Sequence, residues 1–579
     1  MIPINRTYAP IQAFVDELAR SGWVREAVTC PGSRNAPLAL TLAAEGPIAT
    51  FSVLDERSAG FVALGLAKAA ARPVVVTCTS GTAAANLLPA VVEAHEARVP
   101  LIMLTADRPP ELREVGAGQA IDQLKLYGGF VKWFAEVGDH EPSRESAIHH
   151  RALACRAVAT AVGGRPGPVH VNFPLREPLA PVPEPLDAAD WEGRPDGAPW
   201  VSVTEAPRDP DAIRPRGFER TPSLAREIGA ARRGSIVVGA NAGVTQDAAH
   251  LAAVLGWPIL ADATSGIRCG PLGYEQATVI SHYDVLLRSE RFADRHQADL
   301  VIRIGATPTS KPLRAWLERC RQIVVDPHAT WDDPTRRAER IEHCDPNLFA
   351  GSLCAELEEN RPTPDEHWLR TWREADALVP EALAATPDPF EPKVWNAVAD
   401  AAPEDSTLWI ASSMPIRDVE AFLPRMEKRL DLFANRGANG IDGTVSSAAG
   451  AAVVAGERTY LLTGDLALLH DIGGLITARR LGVELTVVCA NNGGGGIFDF
   501  LPVAEAADAA AYEQHIATPV DVDLARIAEL AGLPHVLAST PSEVQAAVER
   551  PALVEVRTDR AENVRLHRAL YERVAAALG

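Results

Sequence analysis

Residues 460–498 read YLLTGDLALLHDIGGLITARRLGVELTVVCANNGGGGIF, and this stretch decides the fold. Two short apolar runs, at 460–463 and 485–490, have the composition of buried strands. Between them, about residues 468–481 show the pattern of a helix. A strand, a helix and a second strand in this close succession form a βαβ unit, whose strands are parallel. The stretch therefore predicts an α/β domain built on a parallel sheet.

Polar residues follow both predicted strands. Asp465 comes after Gly464 at the end of the first strand, and Asn492 follows the end of the second strand. Because the carboxyl ends of neighbouring parallel strands meet at one sheet edge, where ligands bind in α/β proteins, we expect these side chains to lie together. A carboxylate, an amide oxygen and a free loop carbonyl suit Mg²⁺, and the glycines at 493–496 would let the backbone approach phosphates. Two unrelated turns are the alternative, since Gly-Asp and Asn-Gly are common turn pairs.

The first and last thirds of the chain share one layout, in which short strands end in polar turns and alternate with helical patterns. Strands are predicted at 27–30, 74–78, 99–105, 235–239, 258–261, 300–304, 322–325 and 408–411. The predicted fold is α/β, with three domains of parallel sheets flanked by helices. The domains are residues 1–180, 216–360 and 389–579, separated by proline-rich or polar linkers at 181–215 and 361–388.

Composition limits the function classes. The chain has 579 residues, and 56 Lys and Arg against 76 Asp and Glu give a net charge of −20, which argues against nucleic-acid binding. The eight cysteines are scattered without a C-x-x-C pair, which predicts reduced thiols in a cytoplasmic protein. The first 22 residues have the pattern of an amphipathic helix instead of a signal peptide, and the sequence predicts no membrane span.

A second polar group lies near the N-terminus. The tetrapeptide LDER at 54–57 precedes a helix of small and apolar residues. Asp55 could cap that helix, and capping or exposure is also the alternative to a chemical role for Glu56. A Thr-Ser-Gly-Thr turn follows at 79–82, after a β-branched strand.

Four loops at predicted strand ends combine an arginine with glycine, proline or hydroxyl residues. They are PGSR (31–34), TADRPPE (105–111), SMPIR (413–417) and NRGANGIDG (435–443). Several guanidinium groups that converge on one pocket indicate polycarboxylate substrates, because arginine binds carboxylates through paired hydrogen bonds. For any single arginine, a surface salt bridge is the alternative.

These residues together resemble the thiamine-diphosphate-dependent enzymes. The diphosphate motif of that family is Gly-Asp-x, a crossover and then Asn-Asn, and its activating glutamate precedes a Thr-Ser-Gly-Thr turn, as Glu56 does. Within the family, the chain is most similar to the 2-succinyl-5-enolpyruvyl-6-hydroxy-3-cyclohexene-1-carboxylate synthases. The matching strings are PGSRNAPLAL, LDERSAGFVALGLAKA, TSGTAAANLLPAVVEA, LTADRPPEL, NRGANGIDG, GDLALLHD and NNGGGGIF. Leu466, where many members carry glycine, and the NRGANGIDG string upstream together separate the chain from pyruvate decarboxylases and acetohydroxyacid synthases.

The resemblance implies a pyrimidine-binding domain, a Rossmann-like middle domain and a diphosphate-binding domain. It implies thiamine diphosphate and Mg²⁺ or Mn²⁺ as cofactors. The implied activity is that of a transferase in menaquinone biosynthesis. 2-Oxoglutarate is decarboxylated, and the four-carbon carbanion adds to isochorismate in a 1,4-addition. A homodimer that forms the active site, and a homotetramer built from it, are implied as well.

The resemblance also assigns roles to residues. Glu56 would bind N1′ of the aminopyrimidine and activate the cofactor, and Arg417 and Arg436 would share the catalytic role. The cofactor-binding set is Glu56, Ser80, Gly81, Thr82, Ile441, Gly464, Asp465, Leu466, Asn492, Gly494, Gly495 and Ile497. The metal ligands are Asp465, Asn492 and Gly494. The substrate-binding set is Ser33, Arg34, Arg108, Gln119, Lys311, Ser413, Arg417, Arg436, Phe498 and Leu501.

Two departures from the family pattern weaken this transfer. Gly118 stands where the family often has asparagine, and Pro312 stands where it often has arginine after Lys311. The second positive charge must then come from Arg303 or Arg314, or be absent. Three other functions stay open: another thiamine-diphosphate 2-oxo acid decarboxylase or carboligase, a non-catalytic binding protein on the same scaffold, and a Rossmann dehydrogenase. The glycine-rich turn at 239–243 does not fit G-x-G-x-x-G, which disfavours the dehydrogenase.

Overall fold

The structure is a computed structural model that describes residues 5–138, 141–203, 221–243, 246–328, 330–359 and 362–579. It contains three six-stranded parallel sheets flanked by helices, which confirms the predicted α/β class. The chain divides into two compact units. The first unit is Met1–Ala206, Asn435–Ala455 and His470–Leu485, and the second is Pro207–Ala434, Gly456–Leu469 and Thr486–Gly579.

The first sheet lies in the first unit. Its strands are β1 (Glu26–Thr29), β2 (Ala49–Ser52), β3 (Val74–Cys78), β4 (Leu101–Asp107), β5 (Phe134–Glu136) and β6 (Val169–Pro174), in the order β2-β1-β3-β4-β6-β5. Its helices are α1 (Tyr8–Arg20), α2 (Ala36–Ala44), α3 (Glu56–Ala70), α4 (Thr82–Asn86), α5 (Leu88–Glu96) and α6 (Arg144–Val162). Strand β3 has the predicted bounds, and the helix predicted over the first 22 residues is the shorter α1, with residues 1–4 outside the described ranges. Strand β4 begins two residues later than predicted, because Pro100 has no N–H and the Val99 amide bonds the Ala94 carbonyl instead.

The middle sheet belongs to the second unit. Its strands are β7 (Gly234–Val238), β8 (Pro258–Ala261), β9 (Thr278–Ile280), β10 (Leu300–Ile304), β11 (Gln322–Val325) and β12 (Ala338–Glu342), in the order β12-β11-β10-β7-β8-β9. Its helices are α7 (Thr221–Ala230), α8 (Gln246–Leu255), α9 (Tyr283–Leu286), α10 (Glu290–Arg295), α11 (Lys311–Leu317) and α12 (Pro346–Glu359). This order is the doubly wound Rossmann order, as the resemblance implied. A Cβ on Gly239 would lie 1.8 Å from the Ala306 carbonyl oxygen, so close backbone packing accounts for this glycine.

Two helices follow the middle sheet, α13 (Glu366–Asp376) and α14 (Leu378–Ala384), within the stretch 361–388 that the sequence assigns to a linker. The side chains of Trp368 and Trp372 on α13 are almost completely buried, and the Trp372 ring meets Phe292 edge-on at 5.1 Å. The other predicted linker includes a short 3₁₀ helix, Ala188–Trp191, and its residues 204–215 lie outside the described ranges. The domain boundaries stay predictions.

The third sheet has the strands β13 (Ser406–Ile410), β14 (Leu430–Ala434), β15 (Thr459–Gly464), β16 (Leu485–Asn491), β17 (His535–Ala538) and β18 (Leu553–Arg557). Their order, β14-β13-β15-β16-β18-β17, repeats the order of the first sheet, which confirms the predicted likeness of the outer thirds. The helices are α15 (Glu391–Ala401), α16 (Met414–Phe422), α17 (Thr444–Ala452), α18 (Asp465–His470), α19 (Ile472–Leu481), α20 (Val503–Ala506), α21 (Ala509–Tyr512), α22 (Leu524–Ala531), α23 (Pro541–Ala547) and α24 (Arg560–Ala577).

The single helix predicted at 468–481 was wrong, because α18 and α19 are separate helices that meet at Asp471. The buried Asp471 carboxylate accepts hydrogen bonds from the Ser446 amide at 2.6 Å and the Ser446 hydroxyl at 3.0 Å. These bonds hold α19 against α17, and α17 packs closely on α3. A Cβ on Gly65 of α3 would lie 1.9 Å from the Ser447 carbonyl oxygen. Two segments of the last third thereby belong to the first unit.

All eight cysteines lie in the described part of the chain, and none forms a disulfide. Six of them are buried and two are half-buried. Across the residues that the structure describes, no helix is both long and apolar enough to cross a membrane.

Candidate active site

Asp465 begins α18 directly after β15. Its carboxylate accepts hydrogen bonds from the backbone amides of Leu466 at 2.7 Å and Gly494 at 2.8 Å, so it joins the ends of β15 and β16. Burial raises the pKa of the Asp465 carboxyl, and the amides of Leu466 and Gly494 oppose that rise. The structure thus brings together the two strand ends that the spacing predicted. A bound cation would stabilise the charged form of this buried carboxylate.

Asn492 and the glycines after it form the other wall of this loop pair. The Asn492 Oδ1 atom is buried and accepts no hydrogen bond from any residue in the described ranges, while its Nδ2 atom donates to Glu391 at 3.0 Å. Gly494 has a φ of +138°, and a Cβ there would lie 2.6 Å from the Ala517 carbonyl oxygen. A buried acceptor without a donor, beside a buried carboxylate and a glycine-only backbone, fits a divalent cation that carries a diphosphate.

Apolar side chains follow the glycines in a 3₁₀ helix, Gly496–Phe500. Phe498 is 36% exposed and Leu501 is 46% exposed, whereas Ile497 is half-buried. Gly495 allows Phe498 to fold back, since a Cβ on Gly495 would lie 2.7 Å from the Phe498 ring. These side chains present an apolar surface on the same loop as the candidate metal ligands.

Glu56 is the first residue of α3, in the first unit. Asp55 caps this helix, because its carboxylate accepts hydrogen bonds from the amides of Arg57 at 2.8 Å and Ser58 at 3.4 Å. The helix-capping role, which was the alternative to a chemical role for Glu56, therefore belongs to Asp55. The Glu56 side chain is half-buried, and burial, followed by the negative charge of Asp55, raises its pKa.

Ser80 and Gly81 follow the end of β3, and three side chains form hydrogen bonds with them. Arg108 donates a hydrogen bond to the Ser80 hydroxyl, and Gln119 donates to the Ser80 carbonyl at 2.9 Å. The Gly81 amide donates to the carboxamide of Gln123 at 2.9 Å. The buried Gln123 was missed by sequence reasoning, although it lies only four positions after Gln119. Thr82, the next residue of the turn, is exposed.

Arg34 lies close to this cluster. Its guanidinium donates to the Leu175 carbonyl and lies 3.5 Å from the Glu177 carboxylate. Burial lowers the pKa of the Arg34 guanidinium, and the positive charge of Arg108 lowers it further. A bound carboxylate would relieve the repulsion between these two cations, which suits an anion site. The neighbouring Ser33 is exposed.

The loop that carries Arg436 is held by Glu93. The Glu93 carboxylate accepts hydrogen bonds from the amides of Gly437 at 2.8 Å and Ala438 at 2.7 Å, and it lies 3.6 Å from the Lys68 ammonium. Burial lowers the pKa of Lys68, Glu93 opposes this, and Arg436 lowers it further. Sequence reasoning missed Glu93 because Gly437 and Ala438, whose amides it binds, lie more than three hundred positions away. In the same loop, the half-buried Ile441 accepts a hydrogen bond from the Thr444 hydroxyl through its carbonyl at 2.8 Å.

Ser413 and Arg417 lie in the second unit, at the turn from β13 into α16. Ser413 has a φ of +77°, and its carbonyl accepts a hydrogen bond from Arg417. Burial lowers the pKa of Arg417, Asp418 opposes this, and Arg314 lowers it further. The positive charge of Arg314 therefore lies close enough to act on Arg417.

Arg303, the other candidate for that charge, is fully buried. It donates hydrogen bonds to the Thr307 hydroxyl at 2.9 Å and to the Asp332 carbonyl. These contacts bind Arg303 to the loops that follow β10 and β11. Lys311, at the start of α11, is exposed.

Comparison with known proteins agrees with this geometry. Residues 11–126 match the family described as thiamine pyrophosphate enzyme, N-terminal TPP binding domain, and residues 419–556 match the corresponding C-terminal TPP binding domain. Residues 226–410 match the family described as middle domain of thiamine pyrophosphate. The three matches follow one another along the chain in the order of the three sheets.

Relatives named 2-succinyl-5-enolpyruvyl-6-hydroxy-3-cyclohexene-1-carboxylate synthase are similar over nearly the whole chain. The one from Geobacillus thermodenitrificans is 43% identical over 98% of this chain and 96% of its own length. The chain belongs to this synthase family. Further members from Listeria innocua and Myxococcus xanthus are 41% and 42% identical, each over 98% of this chain and 97% of their own length.

The synthase family's site residues fall into two groups in this structure. In the first unit, one cluster lies at the end of β3 and contains Ser80, Gly81, Arg108 and Gln119, with Arg34 nearby. The first unit also contains three predicted site residues outside this cluster, Glu56, Arg436 and Ile441. The second unit joins Asp465 to Gly494 and holds Asn492 beside them. It also places Arg417 against Ser413. Each residue's role stays a prediction.

Proposed function

We propose that this chain decarboxylates 2-oxoglutarate and adds the remaining four-carbon unit to isochorismate in a 1,4-addition, in menaquinone biosynthesis. The products are CO₂ and 2-succinyl-5-enolpyruvyl-6-hydroxy-3-cyclohexene-1-carboxylate. The observation that carries the proposal is the acceptor pair at the ends of β15 and β16. There, the buried Asp465 carboxylate and the Asn492 Oδ1 atom, which accepts no hydrogen bond among the described residues, suit a cation-bound diphosphate. Membership of the synthase family specifies the substrates.

Thiamine diphosphate is the cofactor, and when bound it supplies the carbon nucleophile and the electron sink that decarboxylation of a 2-oxo acid requires. Asp465, Asn492 and the Gly494 carbonyl would hold Mg²⁺ or Mn²⁺ on its diphosphate. Gly464, Leu466 and Gly495 would surround that group with backbone. The glycine at 494 is essential to this arrangement, since any side chain there would meet the Ala517 carbonyl.

Glu56 would exchange a proton with N1′ of the aminopyrimidine. A carboxyl with a raised pKa holds its proton nearer to neutral pH, which suits a group that must both give and take one proton. Asp55 leaves Glu56 available for this task, because Asp55 alone caps α3.

The arginines would orient the anionic substrates. Arg34 and Arg108, whose charges repel each other, gain most from a carboxylate placed between them. Arg417, Arg436 and Lys311 would supply further positive charge, with Arg314 as the companion of Arg417. Ser33, Gln119 and Ser413 would bind substrate oxygens, and Phe498 and Leu501 would exclude water.

The proposal extends to assembly and location. A homodimer would complete each site with Glu56 from one chain and Asp465 from its partner, two dimers would form a tetramer, and the enzyme would act in the cytoplasm. Co-expression of Glu56→Gln and Asp465→Asn chains with different tags tests the shared site. Purified mixed dimers should recover about half of the wild-type activity, because one of their two sites is intact. Inactive mixed dimers would contradict a site shared between chains.

The experiment that tests the reaction measures CO₂ release in the presence of thiamine diphosphate and Mg²⁺. With isochorismate present, 2-oxoglutarate should be consumed and pyruvate should not. Consumption of pyruvate in preference to 2-oxoglutarate would indicate a different thiamine-diphosphate carboligase. The arginine-rich site disfavours that outcome, because pyruvate carries a single carboxylate.

A further inference from the structure

Glu391 is a buried carboxyl directly behind the candidate metal site. It is the first residue of α15 and only 1% exposed. Its Oε1 atom accepts hydrogen bonds from Asn492 Nδ2 at 3.0 Å and from the Thr558 hydroxyl at 2.9 Å. Glu391 is not among the predicted site residues, and its partner Asn492 lies 101 positions away in the sequence.

The contact decides which end of the Asn492 amide faces the site. A carboxyl oxygen such as Glu391 Oε1 accepts hydrogen bonds, and the acceptor capacity remains when the proton is carried by Oε2. Only the NH₂ end of a carboxamide can donate, and in the structure it is Nδ2 that points at Oε1 of Glu391. The Oδ1 atom is then left on the other side of the amide plane, buried and without a donor among the described residues.

We propose that Glu391 is a positioning residue that holds the Asn492 amide with its oxygen toward the cofactor's metal ion. The inference rests on the metal-binding part of the proposed function. Partners of metal ligands fix ligand orientation in this way, and their loss typically costs roughly 10- to 100-fold in metal affinity. The Thr558 hydroxyl donates to the same Oε1 atom, so Thr558 and Asn492 share this acceptor.

The buried polar side chains near Glu391 are bonded to one another, and among the described residues they make no hydrogen bond to Oε1. Asp418 accepts a hydrogen bond from Trp395 at 3.3 Å and lies 3.1 Å from His567 Nε2. The aromatic rings of Phe390 and His567 pack against each other at 4.7 Å. This packed polar layer lies between α15, α16 and α24, and it leaves Oε1 directed at Asn492 and Thr558.

Three variants of the full-length chain test the proposal, with Mn²⁺ binding in the presence of thiamine diphosphate as the readout, followed by electron paramagnetic resonance. Glu391→Leu should weaken Mn²⁺ affinity by roughly 10- to 100-fold. Glu391→Gln should stay within about threefold of wild type, since a carboxamide oxygen can replace Oε1. Thr558→Val is the matched control, and it too should stay within about threefold, since it removes the other hydrogen bond to Oε1 and leaves Asn492 in place.

Two outcomes would overturn the proposal: wild-type Mn²⁺ affinity in folded Glu391→Leu, or an equal loss in Thr558→Val. Melting temperatures of all variants separate a positioning effect from general destabilisation. Because a buried leucine could prevent folding, the wild-type holoenzyme supplies a second measurement. Its crystal structure with Mg²⁺ should place Asn492 Oδ1 about 2.1 Å from the metal while Nδ2 stays on Glu391. An amide that has left Glu391 would contradict the assignment.

These readouts do not depend on the substrates. If the chain proved to use another 2-oxo acid, Mn²⁺ binding and its dependence on Glu391 would be unchanged. Failure of the proposed reaction and failure of the positioning role are therefore distinguishable.

Discussion

The two outer sheets have the same strand order, yet the loops at their strand ends carry opposite chemistry. In the first unit, the turn after β3 is surrounded by hydrogen-bond donors and positive charge, from Arg34, Arg108 and Gln119. In the second unit, the ends of β15 and β16 present acceptors, from Asp465 and Asn492. The comparison teaches that the repeated fold supplies only a sheet edge, while loop residues make one edge suited to anions and the other suited to a cation.

A substitution among the acceptor residues at the ends of β15 and β16 should have the largest effect on metal affinity and turnover. Asp465→Asn keeps the shape of the side chain and removes its charge. We expect Mn²⁺ affinity to fall by more than roughly 100-fold and turnover to fall further, since the cation loses its only charged ligand in this set. Asp521→Asn, at an exposed position of the same unit, is the charge-matched control. Retention of wild-type Mn²⁺ binding by Asp465→Asn would show that the metal is held elsewhere.

Glu56→Gln should separate chemistry from binding. Loss of a group that moves a proton typically costs roughly 100- to 10,000-fold in turnover, while cofactor affinity should change little. Calorimetric titration with thiamine diphosphate and steady-state kinetics measure the two effects. Asp55→Asn is the neighbouring control, and it should cost about 1 kcal/mol of stability at most while turnover is retained. Unchanged turnover in Glu56→Gln would refute the assigned role.

A substitution among the donor residues around the turn after β3 should weaken the binding of an anionic substrate. Arg108→Gln removes one of the two neighbouring cations and leaves the metal site untouched. We expect the KM for at least one anionic substrate to rise by roughly 10- to 100-fold, the value of one or two charge-assisted hydrogen bonds. Arg176→Gln, which breaks a surface ion pair with Glu111, provides the comparison. A fall in Mn²⁺ affinity for Arg108→Gln, with an unchanged KM, would contradict the division between the two edges.

A smaller effect concerns the stability of the second unit. Burial, followed by the negative charge of Asp262, raises the pKa of Glu420 to about 8. The folded chain therefore holds this proton after the unfolded chain has lost it. The free energy of unfolding should then fall as pH rises from about 5 to 8, by up to roughly 1.4 kcal/mol per pH unit.

Urea unfolding of wild type and Glu420→Gln without cofactor, at several pH values in this range, measures that effect. Other titrating groups contribute equally to both proteins, so the difference between the two slopes belongs to Glu420. Equal slopes would show that the carboxyl is already ionised in the folded chain.

Much of the fold follows from local sequence pattern. Buried central strands such as β3, β8 and β10 begin and end where their apolar, β-branched runs do. The edge strands β2, β5, β9, β12, β14 and β17 were missed, because short and mostly half-exposed strands have little hydrophobic signal. The inner strands β6 and β18 were missed as well, because buried polar residues, His170 and Asn172 in β6 and Glu555 in β18, interrupt their apolar runs. The break between α18 and α19 was also missed, since it depends on the bonds from Ser446 to Asp471.

In the candidate site, too, residues that are close in sequence could be predicted, and residues that act on distant partners could not. Asp465 and Asn492 could be found because a single crossover separates them, and their strand-end positions bring them together. Glu93, Gln123 and Glu391 could not, because each acts on a partner that only the folded chain brings close. No residue pattern around Glu391 separates it from a helix-capping or exposed glutamate.

The central claim is that the donor-rich and acceptor-rich edges serve one reaction between 2-oxoglutarate and isochorismate. The most direct test is mass spectrometry of the product formed from 2-oxoglutarate labelled with ¹³C at every carbon, with thiamine diphosphate, Mg²⁺ and unlabelled isochorismate. The expected product joins isochorismate to four labelled carbons, and the remaining labelled carbon is released as CO₂. A product without the isochorismate carbons, or one that retains all the labelled carbons, would contradict it.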